Sequence, residues 1–269
     1  MRIATAFAAV AFLAAPAAAA DEVPFVVSPD SVTLAMLQVA KVTNEDYVLD
    51  LGSGDGRIVI LAARRFGARG MGIEINPQLV EKSRENARIA GVAERVSFRE
   101  QDLFRTDLST ASVVTLYLLP EVNMQLRPKL LALRPGTRVV SHDFDMEDWE
   151  PDKAMTVDAP DKPIGLGKTS KVYLWVVPAR VEGLWCGTGK AKGKSLAIAQ
   201  KFQKVRIDIP EGTTVRALDG KVQGSIIRTP SGALNLMFDG NKLKATYASG
   251  ATAALKNATF ARPKGPSCG

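Results

Sequence analysis

Val48-Leu49-Asp50-Leu51-Gly52-Ser53-Gly54-Asp55-Gly56-Arg57 decides the fold of this chain. An apolar run the length of a buried strand enters a turn with a glycine at every second position, and a helical pattern starts near Ile58. Glycines at 52, 54 and 56 let the backbone turn sharply and approach a ligand with no Cβ in the way. The N–H groups at the start of the following helix favour electron-rich ligand groups. A second apolar stretch, Gly70-Met71-Gly72-Ile73-Glu74-Ile75, carries Glu74 at its tip. An acid there, about two dozen residues after the first strand, is placed to accept hydrogen bonds from ribose hydroxyls. Together these features predict a nucleoside site at the carboxyl edge of a parallel sheet.

The spacing narrows the ligand. A dinucleotide fingerprint needs a glycine three residues after its second one. Arg57 stands there, and the glycine comes one residue earlier, at Gly56. Asp50 ends the strand, where a carboxylate suits a cationic amine and repels a pyrophosphate. The pattern Asp-x-Gly-x-Gly-x-Gly, followed by a strand-end Glu, resembles the first two motifs of the seven-strand S-adenosylmethionine (SAM) methyltransferases. An ordinary strand–turn–helix and a nicotinamide site are the competing readings. The resemblance implies SAM as cofactor, contacted by Asp50, Gly52, Gly54, Asp55, Gly56, Glu74, Asn76, Asp102 and Leu103. Asp102 follows the third strand, where related enzymes contact the adenine amino group.

Working outward, the chain opens with Met1-Arg2 and an Ala-rich apolar run to Ala20, broken by Pro16 and followed by Asp21. One positive charge, an apolar stretch and small residues before a polar one read as a secretory signal over residues 1–20. The expected location is periplasmic or secreted, or membrane-tethered if the segment stays uncleaved. Residues 21–178 then form the methyltransferase domain and 179–269 a small β-rich domain. Ser28 or Asp30 is expected to cap a helix running through Val42. Strands are expected at Tyr47–Leu51, Val96–Glu100, Ala111–Leu119, Thr137–Ser141 and Lys171–Val177. Asn76-Pro77 reads as a helix cap with proline first. Strands alternating with helices predict an α/β, Rossmann-like, doubly wound parallel sheet.

Two further runs sharpen the resemblance. Leu116-Tyr117-Leu118-Leu119-Pro120-Glu121-Val122-Asn123 and Ser141-His142-Asp143-Phe144 look like the small protein-lysine methyltransferases. That family includes the mitochondrial ATP-synthase c-subunit enzyme and broad-specificity archaeal relatives. The lead-in Pro24 to Pro29 is similar to the family's Pro-aromatic-Val-Pro-Thr-Pro, with Val27 and Ser28 in place of Pro and Thr. The similarity covers about residues 23–178. It implies a protein substrate methylated on lysine. A lysine titrates at roughly 10.4, so such a site must desolvate the amine or accept its proton. Tyr117, near the expected acceptor pocket, could wall a lysine channel and orient the amine. His142 and Asp143, at the tip of the fifth strand, could face the same cleft. Tyr117 as plain core and His142 as a loop brace are the structural alternatives. No metal-ligand cluster is visible: His142 is the only histidine, and both cysteines lie outside the catalytic part.

The tail has a different grammar. Val205, Ile207 and Ile209 alternate, as do Leu234, Leu236 and Phe238, with turn signals at Asp219-Gly220, Asp239-Gly240 and Ser249-Gly250. A small antiparallel barrel or sandwich is expected. Gly165-Leu166-Gly167-Lys168-Thr169 is not read as a phosphate loop, because its first glycine is misplaced and no helix-forming run follows. The net charge of +7 hides an asymmetry, since Arg180 to Lys264 holds fifteen Lys or Arg against five acids. The lysines are dispersed, which favours a solvated surface over a nucleic-acid groove, so no nucleic-acid partner is expected; an anionic envelope surface or an acidic protein are the candidate partners. Cys186 opens this domain and Cys268 is the penultimate residue; two cysteines in an exported chain predict a disulfide. The functions in competition are lysine methylation, methylation of a small amine or lipid headgroup, and an exported binding protein with an idle methyltransferase fold.

Overall fold

The computed structural model describes residues 27–162, 167–230 and 232–268. The expected signal segment lies outside them, as do Pro24 to Val26 of the lead-in and Gly165 and Leu166. The catalytic part runs α1 Asp30–Val39, β1 Tyr47–Leu51, α2 Arg57–Phe66, β2 Arg69–Glu74, α3 Pro77–Ile89 and β3 Val96–Glu100. It continues with β4 Val113–Leu116, α4 Pro120–Leu130, β5 Arg138–His142, β6 Lys153–Asp158 and β7 Thr169–Val176. The sheet order is β3-β2-β1-β4-β5-β7-β6. Strands β1 to β5 are mutually parallel, and β7 runs antiparallel to both β5 and β6. The expected all-parallel sheet is therefore mixed.

Alternation along the strands builds two cores. Val48, Val113, Val140 and Val172 point to the face covered by α1 and α2. Leu49, Leu51, Leu116 and Val139 point to the other face, against Leu126 and Leu130 of α4 and Trp149. A strand buried on both faces reads as the continuous apolar run seen at 48–51. The glycine turn is shaped by sterics. Gly56 caps α2 at φ 81°, and a Cβ there would lie 2.7 Å from the Phe98 ring. Gly72 admits close approach, because its Cβ would lie 2.5 Å from Ser53 Oγ.

Several boundaries differ from the sequence reading. Helix α1 stops at Val39, and Lys41 takes a left-handed φ of 52°. Pro29 occupies its N-cap with no side-chain cap, so neither Ser28 nor Asp30 caps it. The apolar run at 111–119 is strand only from Val113 to Leu116, because Pro120 opens α4 and Leu119 caps it. Tyr117 thus follows the strand's end rather than its middle. Strand β6 was not expected: its exposed or half-buried residues make a weak edge pattern.

The tail forms β8 Gly183–Thr188, β9 Ser195–Lys201, β10 Lys204–Glu211, β11 Thr214–Gln223, β12 Ile226–Arg228, β13 Leu234–Phe238, β14 Lys242–Ala248 and β15 Thr259–Ala261. These eight strands close into a barrel, not a sandwich. Trp185, Ile207, Leu236, Leu243 and Phe260 fill it. Closure removes both sheet edges, which would otherwise be open to pairing with other chains. A Cys186–Cys268 disulfide ties the chain end to β8, with Cα atoms 5.3 Å apart.

The barrel docks at the amino edge of the catalytic sheet. Gly224 packs against Gly136, just before β5, and the Ala179 N–H donates to the Gly224 carbonyl just after β7. Phe202, in the β9–β10 turn, lies against Trp149, ring centroids 6.1 Å apart. The Arg127 guanidinium sits 5.5 Å from the same ring. Lys204 pairs with Glu150 at 2.7 Å and Lys201 with Asp148 at 3.2 Å. The carboxyl ends of β1 to β5 are left free at the opposite edge.

Candidate active site

At that free edge lies a cavity of about 920 Å³. Its wall includes Asp50, the glycine turn, Glu74, Asp102, Leu103 and Tyr117. The sheet brings these together because each lies at or just past the carboxyl end of one of the parallel strands β1 to β4. Glu74 ends β2, and its carboxylate accepts the Gly54 N–H on Oε2 at 2.9 Å. Its Oε1 accepts from Ile75 N at 2.9 Å and Asn76 N at 3.0 Å. The acid is thus locked against the turn it was paired with in sequence. Asn76 lines the cavity wall, and its Oδ1 caps α3 by accepting from Gln78 N at 2.9 Å. Asp102 accepts the Phe104 N–H at 2.7 Å, which fixes the short turn holding Leu103.

Asp50 is buried and accepts the Thr115 hydroxyl at 2.7 Å. Burial, reinforced by the charges of Glu74 and Asp55, pushes its carboxyl up to about 7, against the pull of that hydrogen bond. Asp55 borders the cavity, but its carboxylate grips Arg57 with Nε at 3.0 Å and Nη2 at 2.7 Å. Burial opposes ionisation of Asp55, and the Arg57 contacts outweigh it and hold the carboxyl low. Arg57 also donates to the Ser28 carbonyl at 2.9 Å, so Asp55 acts on the lead-in through Arg57. Ser53 Oγ is buried beside the turn with no hydrogen-bond partner.

At the other end of the cavity Tyr117 stacks on His142, ring centroids 3.9 Å apart and planes 25° from parallel. His142 was expected to face the cleft. Its ring is instead fully buried, behind Tyr117 and away from the cavity wall. Ser28 Oγ lies 2.9 Å from its Nδ1 and Ser170 Oγ 2.9 Å from its Nε2. Burial pushes this imidazole down to about 4. Asp143 is not on the cavity wall either. It takes φ 61°, pairs with Lys162 Nζ at 2.7 Å and accepts the Lys171 N–H at 2.9 Å. Those bonds, against the upward push of burial, hold its carboxyl low. Burial and the Asp143 charge raise the Tyr117 phenol above its ordinary value, so it stays protonated near neutral pH. Ser28, Ile75, Gln101, Phe104 and Val122 also line the cavity. The sequence reading left them out of the site; for all but Ser28, which precedes α1, the one signal is position, next to a strand end or its following helix.

A family model for the ANTKMT methyltransferase domain matches residues 50–153, which holds every residue discussed here except Ser28, Lys162, Ser170 and Lys171. A protein-lysine N-methyltransferase of Saccharolobus islandicus is 41% identical over 157 residues, covering 58% of this chain and 94% of that protein. The chain belongs to the protein-lysine N-methyltransferase family. It is a SAM-dependent methyltransferase. The adenine nucleotide translocase lysine N-methyltransferase of Mus musculus is 44% identical over 106 residues, and the chain covers 46% of that protein. The chain thus spans about half or less of its mouse relatives. A solved structure from Salinibacter ruber, described as an RNA methyltransferase with S-adenosyl-L-homocysteine bound, is 55% identical. It covers 58% of this chain and 96% of its own, with a TM-score of 0.52. These matches cover at most 58% of the chain.

Proposed function

We propose that this methyltransferase acts on lysine side-chain amines of a protein. The observation that carries the reading is the pairing of ends in one cavity. Glu74 and the glycine turn stand at one end, and Tyr117, braced on a buried histidine, stands at the other. When bound, SAM supplies an activated methyl on a cationic sulfur.

The residues suit that ligand. Glu74 and Asp102 present carboxylates to hydroxyl and amino donors, and Asp50 presents one to an ammonium group. Gly52 and Gly54 keep the wall free of side chains, Gly56 lets the turn close against Phe98 behind it, and the Ser53 hydroxyl needs a partner. Leu103 offers an apolar face beside Asp102. Asp55 and Asn76 act at one remove, through Arg57 and through the cap of α3. At the acceptor end, Tyr117 walls the path by which an amine must come in line at near-attack distance. Its protonated hydroxyl can accept a hydrogen bond from the amine and so orient the lone pair. His142 and Asp143 are positioning residues for that ring.

A second reading has one specific support, the description of the Salinibacter ruber relative as an RNA methyltransferase. Methyl-labelled SAM, mixed with the enzyme and either total protein or total RNA, separates the two. Label recovered in methyl-lysine by mass spectrometry supports the proposal. Label confined to RNA replaces it.

We also propose export. The support is the residue pattern at 1–20 together with a disulfide, which an oxidising compartment maintains. Amino-terminal sequencing of protein from the envelope fraction should begin near Asp21; a cytoplasmic protein retaining Met1 would remove the export reading.

A further inference from the structure

The cations of the tail are scattered in sequence, but the barrel register gathers them. Lys204 pairs with Lys221, Lys221 with Arg228, Arg228 with Asn235 and Asn235 with Tyr247. This is one row across five strands. The next outward row runs Ile226, Met237, Lys244. Neighbours within a row lie about 4.8 Å apart and the two rows about 7 Å apart along the strands, so they form one continuous patch. Ile226 is 37% exposed, Met237 43% and Tyr247 49%, in a barrel whose other large apolar side chains are mostly buried.

At the β10 end of the row Glu150 of the methyltransferase part pairs with Lys204 at 2.7 Å and its charge, with that of Asp152, reaches Lys221; from β12 onward the charge pattern is one-sided. Like charges placed directly opposite on neighbouring strands are destabilising. On the neighbouring row Arg206 faces Asp219, yet here Lys221 faces Arg228. From Gly220 to Gly269 there are seven Lys or Arg and a single acid, Asp239. The Asp239 carboxylate is held in its own turn by the N–H groups of Asn241 and Lys242. Nothing in the sequence of β12 to β15 balances this face.

Three occupants can be weighed. A second copy laid patch on patch would set cation against cation. A single-stranded nucleic acid is bound by a basic groove with successive stacking aromatics; this is the outer wall of a barrel, with Tyr247 its one aromatic and aliphatic side chains at its centre. An anionic bilayer matches both halves of the pattern. Cations meet headgroup phosphates, while Ile226, Met237 and Tyr247 enter the interfacial layer. Among the described residues no helix is long and apolar enough to cross a membrane.

We propose that the outer face of β12, β13 and β14 docks the enzyme on an anionic lipid surface. The barrel sits at the amino edge of the catalytic sheet and the cavity opens at the carboxyl edge. The docked enzyme therefore keeps its cavity mouth clear. This inference does not depend on the identity of the methyl acceptor.

The test is co-sedimentation of the full chain with vesicles of phosphatidylcholine alone or mixed with phosphatidylglycerol. Each surface cation contributes about fivefold in affinity for an anionic leaflet, and high salt removes that gain. The parent should bind the mixed vesicles at least about tenfold more tightly than the neutral ones. The pair Lys221→Glu and Arg228→Glu should abolish that preference. The pair Ile226→Asp and Met237→Asp should weaken binding even at low salt. SAM affinity, measured in the same preparations, should not move, which separates lost docking from lost folding. Absence of binding to phosphatidylglycerol vesicles overturns the proposal. So does binding that both variant pairs retain. A single-stranded oligonucleotide bound in preference to the vesicles would also overturn it.

Discussion

The ring of Tyr117 lies on the imidazole of His142 at 3.9 Å, and the imidazole is held between the hydroxyls of Ser28 and Ser170. Three distant stretches of chain, the lead-in, β5 and β7, thus meet behind one cavity-facing ring. Removing that ring should affect the acceptor end alone. Tyr117→Ala should lower kcat by about 10- to 100-fold, the scale of lost positioning. SAM affinity, read by isothermal titration, should stay within about twofold, because the glycine turn and Glu74 are untouched. A matched loss of SAM affinity would show that Tyr117 belongs to the cofactor end.

His142 also predicts an acid limit on stability. Its ordinary pKa is 6.5, and burial takes the folded value to about 4. Between those values the unfolded chain binds a proton that the folded chain refuses. Stability from this group is present above 6.5 and lost as pH falls toward 4. Asp50, raised to about 7, slopes the other way across the same window, so the comparison must be with a variant. Denaturant unfolding of His142→Gln should lose less stability than the parent between pH 6.5 and 4. Parallel curves would refute the neutral, buried histidine.

Asp50 gives a pH dependence to cofactor binding. With its carboxyl near 7, ionised Asp50 is half populated around neutrality. A cationic ligand prefers the ionised form, so SAM affinity should rise as pH increases through 7 and level off above it. Asp50→Asn should bind more weakly and flatten the profile. A parent profile that is flat from pH 6 to 8 would contradict the assignment.

Glu74 accepts three backbone N–H groups, so its removal should loosen the turn as well as the ligand. Hydrogen bonds to charged groups contribute roughly 1.5–3 kcal/mol. Glu74→Ala should therefore weaken SAM binding by about tenfold or more. Gly56→Ala should also weaken it, since the added Cβ meets Phe98 and φ is 81°. Wild-type affinity in both variants would remove the site.

The Cys186–Cys268 bond closes a separation of 82 residues. The chain-entropy model assigns such a loop roughly 4–5 kcal/mol, with measured values often lower. Replacing both cysteines by serine should lower the barrel's Tm by several degrees. The catalytic domain should keep its SAM affinity, because the bond lies in the barrel, at the far edge of the sheet. An unchanged Tm would show that strand pairing alone holds the chain end.

The sequence by itself determined the catalytic fold and one end of its cavity. Glycine spacing, strand-end acids and apolar runs act locally, and they placed Asp50, the glycine turn, Glu74 and Asp102 at one sheet edge. Local signals also fixed β1 and β3 to the residue, placed the start of α2 within one residue, and paired the two cysteines. What they could not give was anything set by contacts between distant segments. Ser28 has the pattern of a helix cap, yet a buried histidine 114 residues away takes its hydroxyl. His142 reads as a strand-tip residue facing a cleft, yet Tyr117 covers it. Asp55 reads as a ligand contact, yet Arg57 takes its carboxylate. The tail's lysines look dispersed because a strand register of period two, not sequence proximity, decides which of them stand side by side. Barrel closure, the amino-edge docking of Phe202 on Trp149 and the basic row on β10 to β12 follow from that register, and only the tertiary structure contains it.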